Sequence, residues 1–234
     1  MTATTYKPGM RFDADNNAWT EAKQIIGSTR VTLGPQASQQ YLEAPEHLAM
    51  VLARYGAAAG LIGAAQDVME AGAGEGIGAR ILAKGRTRYV GIDNDAEAIR
   101  VARATVGSDT IAFAELDLTN VDYLPGTNYD AVVSLDTIEH IPAEREAEFM
   151  ERLTDPLREH GVCVIGTPSK NAEHLASPQS RAGHVNLYTP DRLRALMGRY
   201  FRVVQMAFMQ DTAVHFGHPE MAHYLLCVGI GPKR

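Results

Sequence analysis

The chain has 234 residues, a formal net charge of -6 and an isoelectric point near 5.7. That length permits one α/β domain with a full core plus a short extension, and the acidic balance argues against the electrostatic footprint of a general nucleic-acid binder. Its two cysteines, Cys163 and Cys227, both lie within apolar runs and read as core residues rather than a disulfide framework or a cysteine-rich zinc site.

No charged-then-apolar segment opens the chain, and no apolar run approaches the ~18 residues of a membrane span, so a cytoplasmic protein without membrane insertion is expected. Residues 1–40 are polar and punctuated by Pro8-Gly9, Asn16-Asn17 and Gly34-Pro35. They read as a partly irregular arm, with a short helix near Trp19 to Ile26, that could close over a ligand. The remaining residues, 41–234, read as one domain. Leu48, Val51, Leu52 and Tyr55 recur at helical spacing after Pro45, which takes a favoured first-turn position.

Asp67-Val68-Met69-Glu70-Ala71 then reads as a strand that runs into Gly72-Ala73-Gly74-Glu75-Gly76-Ile77-Gly78. Glycines in such a turn allow conformations closed to other residues and let a ligand lie on the backbone, while the following helix start presents N–H groups. Ile77, Ile81 and Leu82 line the next helix, which ends near Lys84-Gly85. A second strand, Tyr89 to Ile92, leads to Asp93, and Asp95 is placed to cap a helix carrying Ile99 and Ala102.

Thr110 to Phe113 and Tyr129 to Ser134 read as further strands. A helix through Phe149, Met150, Leu153 and Leu157 is expected to stop at His160-Gly161, ahead of a strand from Val162 to Gly166. Thr189-Pro190 starts a helix through Leu193, Leu196 and Met197, and strands from Arg202 to Met209 and Tyr224 to Ile230 close the chain. Alternating strands and helices call for a parallel sheet with helices on both faces, a Rossmann-like doubly wound α/β fold.

Glu70-x-Gly72-x-Gly74-x-Gly76, Gly91-Ile92-Asp93, Leu116-Asp117-Leu118 and the run from Tyr129 through Asp136-Thr137-Ile138-Glu139-His140 together resemble a class I S-adenosylmethionine-dependent methyltransferase. The branch most similar is the one that includes the ubiquinone-biosynthesis O-methyltransferases. The resemblance spans about residues 66–168. It implies a seven-stranded sheet in the order 3-2-1-4-5-7-6 with an antiparallel last strand, S-adenosylmethionine as cofactor and S-adenosylhomocysteine as product.

On that resemblance Gly72, Ala73, Gly74 and Gly76 lie along the methionine part of the cofactor, and Glu70 orients the loop. Asp93, 23 residues after Glu70, would accept from the ribose hydroxyls through its two oxygens, with Asn94 beside it. Asp117 would accept from the adenine amino group between Leu116 and Leu118. Ser134 and Leu135 would complete the cofactor site. A rival is a dinucleotide-dependent oxidoreductase, because Gly74-x-Gly76-x-x-Ala79 followed by Asp93 satisfies that fingerprint. The Leu116-Asp117-Leu118 element and the Glu-His segment favour the methyltransferase. A regulator that binds the cofactor without catalysis is the third class.

For a hydroxyl acceptor the enzyme must position the reactants and remove a proton. His140 is the base candidate, since imidazole titrates near neutral pH, with Glu139 beside it; capping of a helix near Pro142 is the alternative role for His140. Tyr41, Asp136, His184, Tyr188, His215 and His218 are candidates for binding a small-molecule acceptor, a sugar or another hydroxylated metabolite, with nitrogen as the alternative methyl acceptor. His215-x-x-His218 lacks i,i+4 spacing and Pro219 interrupts it, so no metal is expected. A homodimer stays open.

Overall fold

Near-continuous apolar runs mark strands covered on both faces, and the central strands have that character. β1 (Asp67–Ala71), β2 (Arg88–Asp93), β3 (Ile111–Glu115), β4 (Tyr129–Leu135) and β5 (Leu157–Pro168) pair in parallel in the order β3-β2-β1-β4-β5. β6 (Phe201–Gln210), β7 (Ala213–His215) and β8 (Tyr224–Pro232) extend the sheet to β5-β8-β6-β7, with β8 antiparallel to both β5 and β6. The expected seven-strand order is therefore present, with one correction: Ala213–His215 adds a short eighth strand at the edge.

These facts come from a computed structural model that describes residues 23–24, 31–119 and 126–234, of which Leu33–Arg234 form one unit. The Trp19–Ile26 helix falls outside the described residues except for Lys23 and Gln24, which are helical. Gly34-Pro35 opens helix α1 (Pro35–Glu43) instead of punctuating an arm, and Pro45 opens α2 (Pro45–Leu61). Both prolines sit where a missing N–H costs nothing.

α3 (Ala79–Leu82) is a single turn after the glycine loop, and Gly85 beyond it has φ +72. α4 (Ala96–Thr105) starts at Asp95, whose side chain accepts from Glu97 and Ala98 N–H. Helix α5 (Glu146–Thr154) stops six residues before the expected His160. Pro156 explains the early end: Asp155 still has helical backbone angles, but proline lacks the N–H to continue the helix. Leu157 instead pairs with Tyr129 at the start of β5. α6 (Pro178–Gly183) and α7 (Pro190–Tyr200) follow, the latter capped by Thr189.

Strand side chains alternate between two apolar layers. Met69 and Val132 face Phe149, Met150, Leu153 and Leu196 on one side. Val68, Ala131 and Val133 face Tyr55, Ala58, Leu82 and Ile99 on the other. Cys163 and Cys227 are buried and free, as their apolar setting implied. No helix among the described residues is long and apolar enough to cross a membrane.

Candidate functional site

The carboxyl ends of the parallel strands carry the polar side chains that the core excludes. At the end of β1, Gly72 has φ +80, and a Cβ there would stand 2.0 Å from Thr137 Oγ1. Thr137 in turn donates to the Ala71 and Leu135 carbonyls, at 3.2 and 3.0 Å. This contact locks the glycine loop to the chain leaving β4. Gly74, at φ +50, would aim a Cβ into open space, so its backbone is open to a ligand. Gly72 and Ala73 donate to the Ile92 carbonyl, holding the loop against β2.

Asp93 at the end of β2 accepts from Gly74 N–H at 2.8 Å through Oδ2 and from Asp95 N–H at 2.9 Å through Oδ1. Each oxygen keeps a further lone pair. Asn94 is exposed next to it. Asp117 accepts the Thr119 N–H and hydroxyl on Oδ1, at 2.9 and 2.7 Å, and these bonds lower its pKa. Its Oδ2 has no hydrogen-bond partner among the described residues, and its neighbours in the chain are half-buried Leu116 and buried Leu118. Ser134 and Leu135 are buried at the end of β4, and the Ser134 hydroxyl has no partner among the described residues.

Glu70 is fully buried in β1. Its Oε2 accepts from the Tyr89 hydroxyl, whereas Oε1 has no partner among the described residues. Burial raises its pKa to about 7; the Tyr89 and Tyr55 hydroxyls oppose the shift and the Asp93 charge adds to it. The expected loop-orienting acid is thus a buried group whose own contact is to a tyrosine of β2.

Beyond β4, Asp136 takes φ +52 and is gripped by Arg54 of α2, whose Nη1 lies 2.8 and 2.9 Å from its two oxygens. Arg54 also lies over the Tyr224 ring, 4.1 Å from its centroid. Sequence reading missed Arg54, which stands 82 residues from its partner. A short 3-10 turn, Ile138–His140, then buries Glu139 and exposes His140. Glu139 Oε2 accepts from Thr167 at 2.9 Å and Oε1 has no partner among the described residues. Burial, then the nearby Asp136 charge, raise the Glu139 pKa well above the carboxylate range.

The Glu139 carbonyl accepts from Val185 and Asn186 N–H, at 2.9 and 3.0 Å, which draws the segment after α6 onto this turn. His184 arrives beside His140, with ring centroids 5.0 Å apart at 75°. His140 Nδ1 lies 2.9 Å from the Gly183 carbonyl. A carbonyl only accepts, so Nδ1 carries the proton and, in the neutral ring, Nε2 has the free lone pair. Burial first, and then His140, lower the His184 pKa. One donor atom from each of Glu139, His140 and His184 lies within 4.8 Å of the others.

The other acceptor candidates scatter. Tyr188 is fully buried; its hydroxyl donates to Glu146 at 2.6 Å and accepts from Asn186 at 2.9 Å, with Arg192 over the ring. Its expected acceptor role is corrected to a structural one. Tyr41 is exposed on α1. His215 turns Nδ1 to the Gly217 carbonyl and packs its ring near Phe208, and His218 is exposed at φ +49. A groove of about 250 Å³ between the ends of β5 and β6 is lined by His174, Gln210, Glu220 and His223 among others, without His215 or His218. A larger groove of about 660 Å³, with Gln66, Asp130 and Arg158 in its wall, lies at the amino ends of the strands, away from this chemistry.

Comparison with known proteins bears on the same segments. A family model described as a methyltransferase domain matches residues 41–205. The chain is 30% identical over 183 residues to a probable S-adenosylmethionine-dependent methyltransferase of Mycobacterium tuberculosis (strain ATCC 25618 / H37Rv), an alignment covering 68% of this chain and 65% of that protein. It is 34% identical over 111 residues to a similarly named protein of Mycolicibacterium smegmatis, over 46% of this chain and 40% of the relative. It thus spans less than two thirds of either relative. Among solved structures, the methyltransferase domain of bacterial CtHen1-C superposes with a TM-score of 0.65 at 18% identity, over 78% of this chain and 99% of that one, a likeness of fold.

Proposed function

The chain belongs to the methyltransferase-domain family, and on that premise we propose that it transfers a methyl group from S-adenosylmethionine to the hydroxyl oxygen of a small cytoplasmic metabolite, a sugar or another hydroxylated compound. The observation that carries this reading is the lock between Thr137 and Gly72, which sets the glycine loop directly against the turn bearing Glu139 and His140. A ligand site and a basic side chain are thereby brought to one edge of the sheet.

The residues present fit the cofactor. Gly74 leaves room over its backbone, Asp93 has a spare lone pair on each oxygen for a ribose diol, and Asp117 Oδ2, without a partner among the described residues, can accept from an amino group. When bound, S-adenosylmethionine supplies a methyl group already activated by a cationic sulfur. The protein's part is to hold the acceptor close and manage its proton. His140, fixed by Gly183 with Nε2 unprotonated in the neutral ring, provides the basic lone pair, and buried Glu139 sets the turn on which it stands. His184 flanks the acceptor. Asp136, held by Arg54, fixes the exit from β4.

Incubation of the purified chain with methyl-labelled cofactor and a panel of hydroxylated and aminated metabolites tests this. A methyl ether product, together with calorimetric binding of S-adenosylhomocysteine, is the expected outcome. An N-methyl product would overturn the acceptor assignment, and tight NADH binding without binding of either sulfur cofactor would overturn the function.

A further inference from the structure

The turn after β4 and the segment after α6 come from distant parts of the sequence, yet they deliver two imidazoles and one carboxylate to one point. Glu139 is fully buried with one oxygen unpartnered among the described residues. An unpaired buried carboxylate oxygen is costly, and a bound cation is one of the few things that satisfies it. The two rings stand 5.0 Å apart, edge to face. Two imidazoles bound to one ion at about 2.1 Å, with a ligand angle between octahedral and tetrahedral, place their centroids roughly 5 Å apart. His140 has the remaining feature of a ligand histidine: its Nδ1–H is tied to a backbone carbonyl, which fixes the tautomer and leaves Nε2 to coordinate.

We propose that Glu139, His140 and His184 bind one divalent transition-metal ion, with open positions that take the acceptor's hydroxyl oxygen. The site deepens the methyl-transfer reading and rests on it for the identity of the acceptor. Two histidines and a carboxylate suit zinc, manganese or iron(II) and leave coordination positions vacant for an oxygen ligand. The His140 lone pair then holds the ion in place of a proton, and the ion acidifies the hydroxyl. In the transfer the acceptor oxygen forms the O–C bond as the C–S bond breaks with its electrons left on sulfur. The hydroxyl proton passes to water at the exposed edge of His140, and the ion keeps its oxidation state. Asp136 lies outside that three-residue cluster, and its two oxygens face Arg54.

The test uses the untagged full chain, stripped with chelator and titrated with Co²⁺ as a spectroscopic probe, with S-adenosylhomocysteine calorimetry run in parallel. One Co²⁺ per chain is expected, displaced by Zn²⁺. His140→Asn and His184→Asn should each weaken it by roughly 100-fold or more while leaving S-adenosylhomocysteine affinity in place. Glu139→Gln should do the same; because Glu139 is buried, half-exposed His184 supplies the variant that spares the core. Wild-type chain that binds S-adenosylhomocysteine but takes up no Co²⁺, Mn²⁺ or Zn²⁺ would overturn the ion site, as would His184→Asn binding Co²⁺ like wild type. Stoichiometric Co²⁺ with no S-adenosylhomocysteine binding would support the ion site and strike the methyl-transfer reading alone.

Discussion

The two ends of the site are built by different means. Along β1, β2 and β3 the polar groups are placed by local backbone demands: glycines at positive φ, an aspartate accepting from the loop beside it, and another bonded to the threonine two residues on. Beyond β4 the groups are placed by partners far away in the chain, with Arg54 on Asp136, Thr167 on Glu139 and Gly183 on His140. The first end is held mainly by partners within β1 to β3, with Thr137 as its tie to the chain leaving β4. The second exists only once the whole sheet has closed, so a change there should act on chemistry before binding, and a change at the first end the reverse.

The largest expected separation comes from His140→Ala. Removing the acceptor-side lone pair should lower turnover by about 10²–10⁴, whether that lone pair takes a proton or holds an ion. S-adenosylhomocysteine affinity should stay near the wild-type value, since among the described residues the glycine loop bonds to Ile92, Asp93 and Thr137 and not to His140. Single-turnover rates alongside calorimetry check this. A folded variant with wild-type turnover would dissolve the distinction between the two ends.

Next in size is the pH response of Glu70, the buried acid of the first end. Its pKa rises from 4.5 to about 7 on folding. The folded chain therefore holds a proton that the unfolded chain has released across that window. The resulting stabilisation is fully present below about 4.5 and is lost as pH rises through about 7, a change on the order of 3 kcal/mol. Glu70→Gln should remove this dependence while keeping an acceptor for the Tyr89 hydroxyl. Denaturant titrations of ligand-free wild type and variant at pH 5 and pH 8 measure it: the variant should gain on wild type at the higher pH. An unchanged difference would mean that Glu70 is charged throughout.

How much of each end was legible follows from the same distinction. The Asp95 and Thr189 caps could be read because each obeys a rule spanning a few residues, and the glycine loop and Asp93 because their spacing falls within one strand-loop-helix-strand unit. Pro156 carried an equally local signal, and giving the helical spacing of Leu157 more weight than the proline produced the overlong helix. The pairing of Arg54 with Asp136 has no local signature. The fate of Tyr188 was hidden for the same reason, since Glu146 and Asn186 claim its hydroxyl only in the folded chain. The His140–His184 pair could have been suspected only from Gly183-His184, and nothing in that spacing says that Glu139 will draw it in.

Asp93→Ala tests the first end directly. Losing hydrogen bonds to a charged acceptor costs about 1.5–3 kcal/mol, or roughly a 10- to 150-fold loss of S-adenosylhomocysteine affinity. Gly74 N–H also loses its partner, so part of the loss will come from a loosened loop. With cofactor at saturation, turnover should fall far less than in His140→Ala. A loss of turnover without a loss of affinity would reverse the assignment of the two ends.

The smallest effect belongs to Glu75, where the glycine loop reaches out to the start of the compact unit. Its two carboxylate oxygens accept from Gln36 and Ala37 N–H, at 2.9 and 3.1 Å, at the start of α1. Gly34, the residue before that helix, makes no side-chain cap of its own. A carboxylate supplied from elsewhere in the chain therefore does the work of an N-cap and also faces the positive end of the helix dipole. Glu75→Ala should cost about 1 kcal/mol, the typical value for a lost cap. Because α1 is one short helix at the margin of the unit, the loss should appear as local opening. Hydrogen exchange should speed up at Gln36, Ala37 and the rest of Pro35–Glu43 while the amides of β1 and β4 stay protected. Glu75→Gln, which keeps an acceptor oxygen without the charge, should fall between the two. Uniformly faster exchange across the sheet would instead make Glu75 part of the loop's own support, and the first end would then depend on α1 as well as on Thr137.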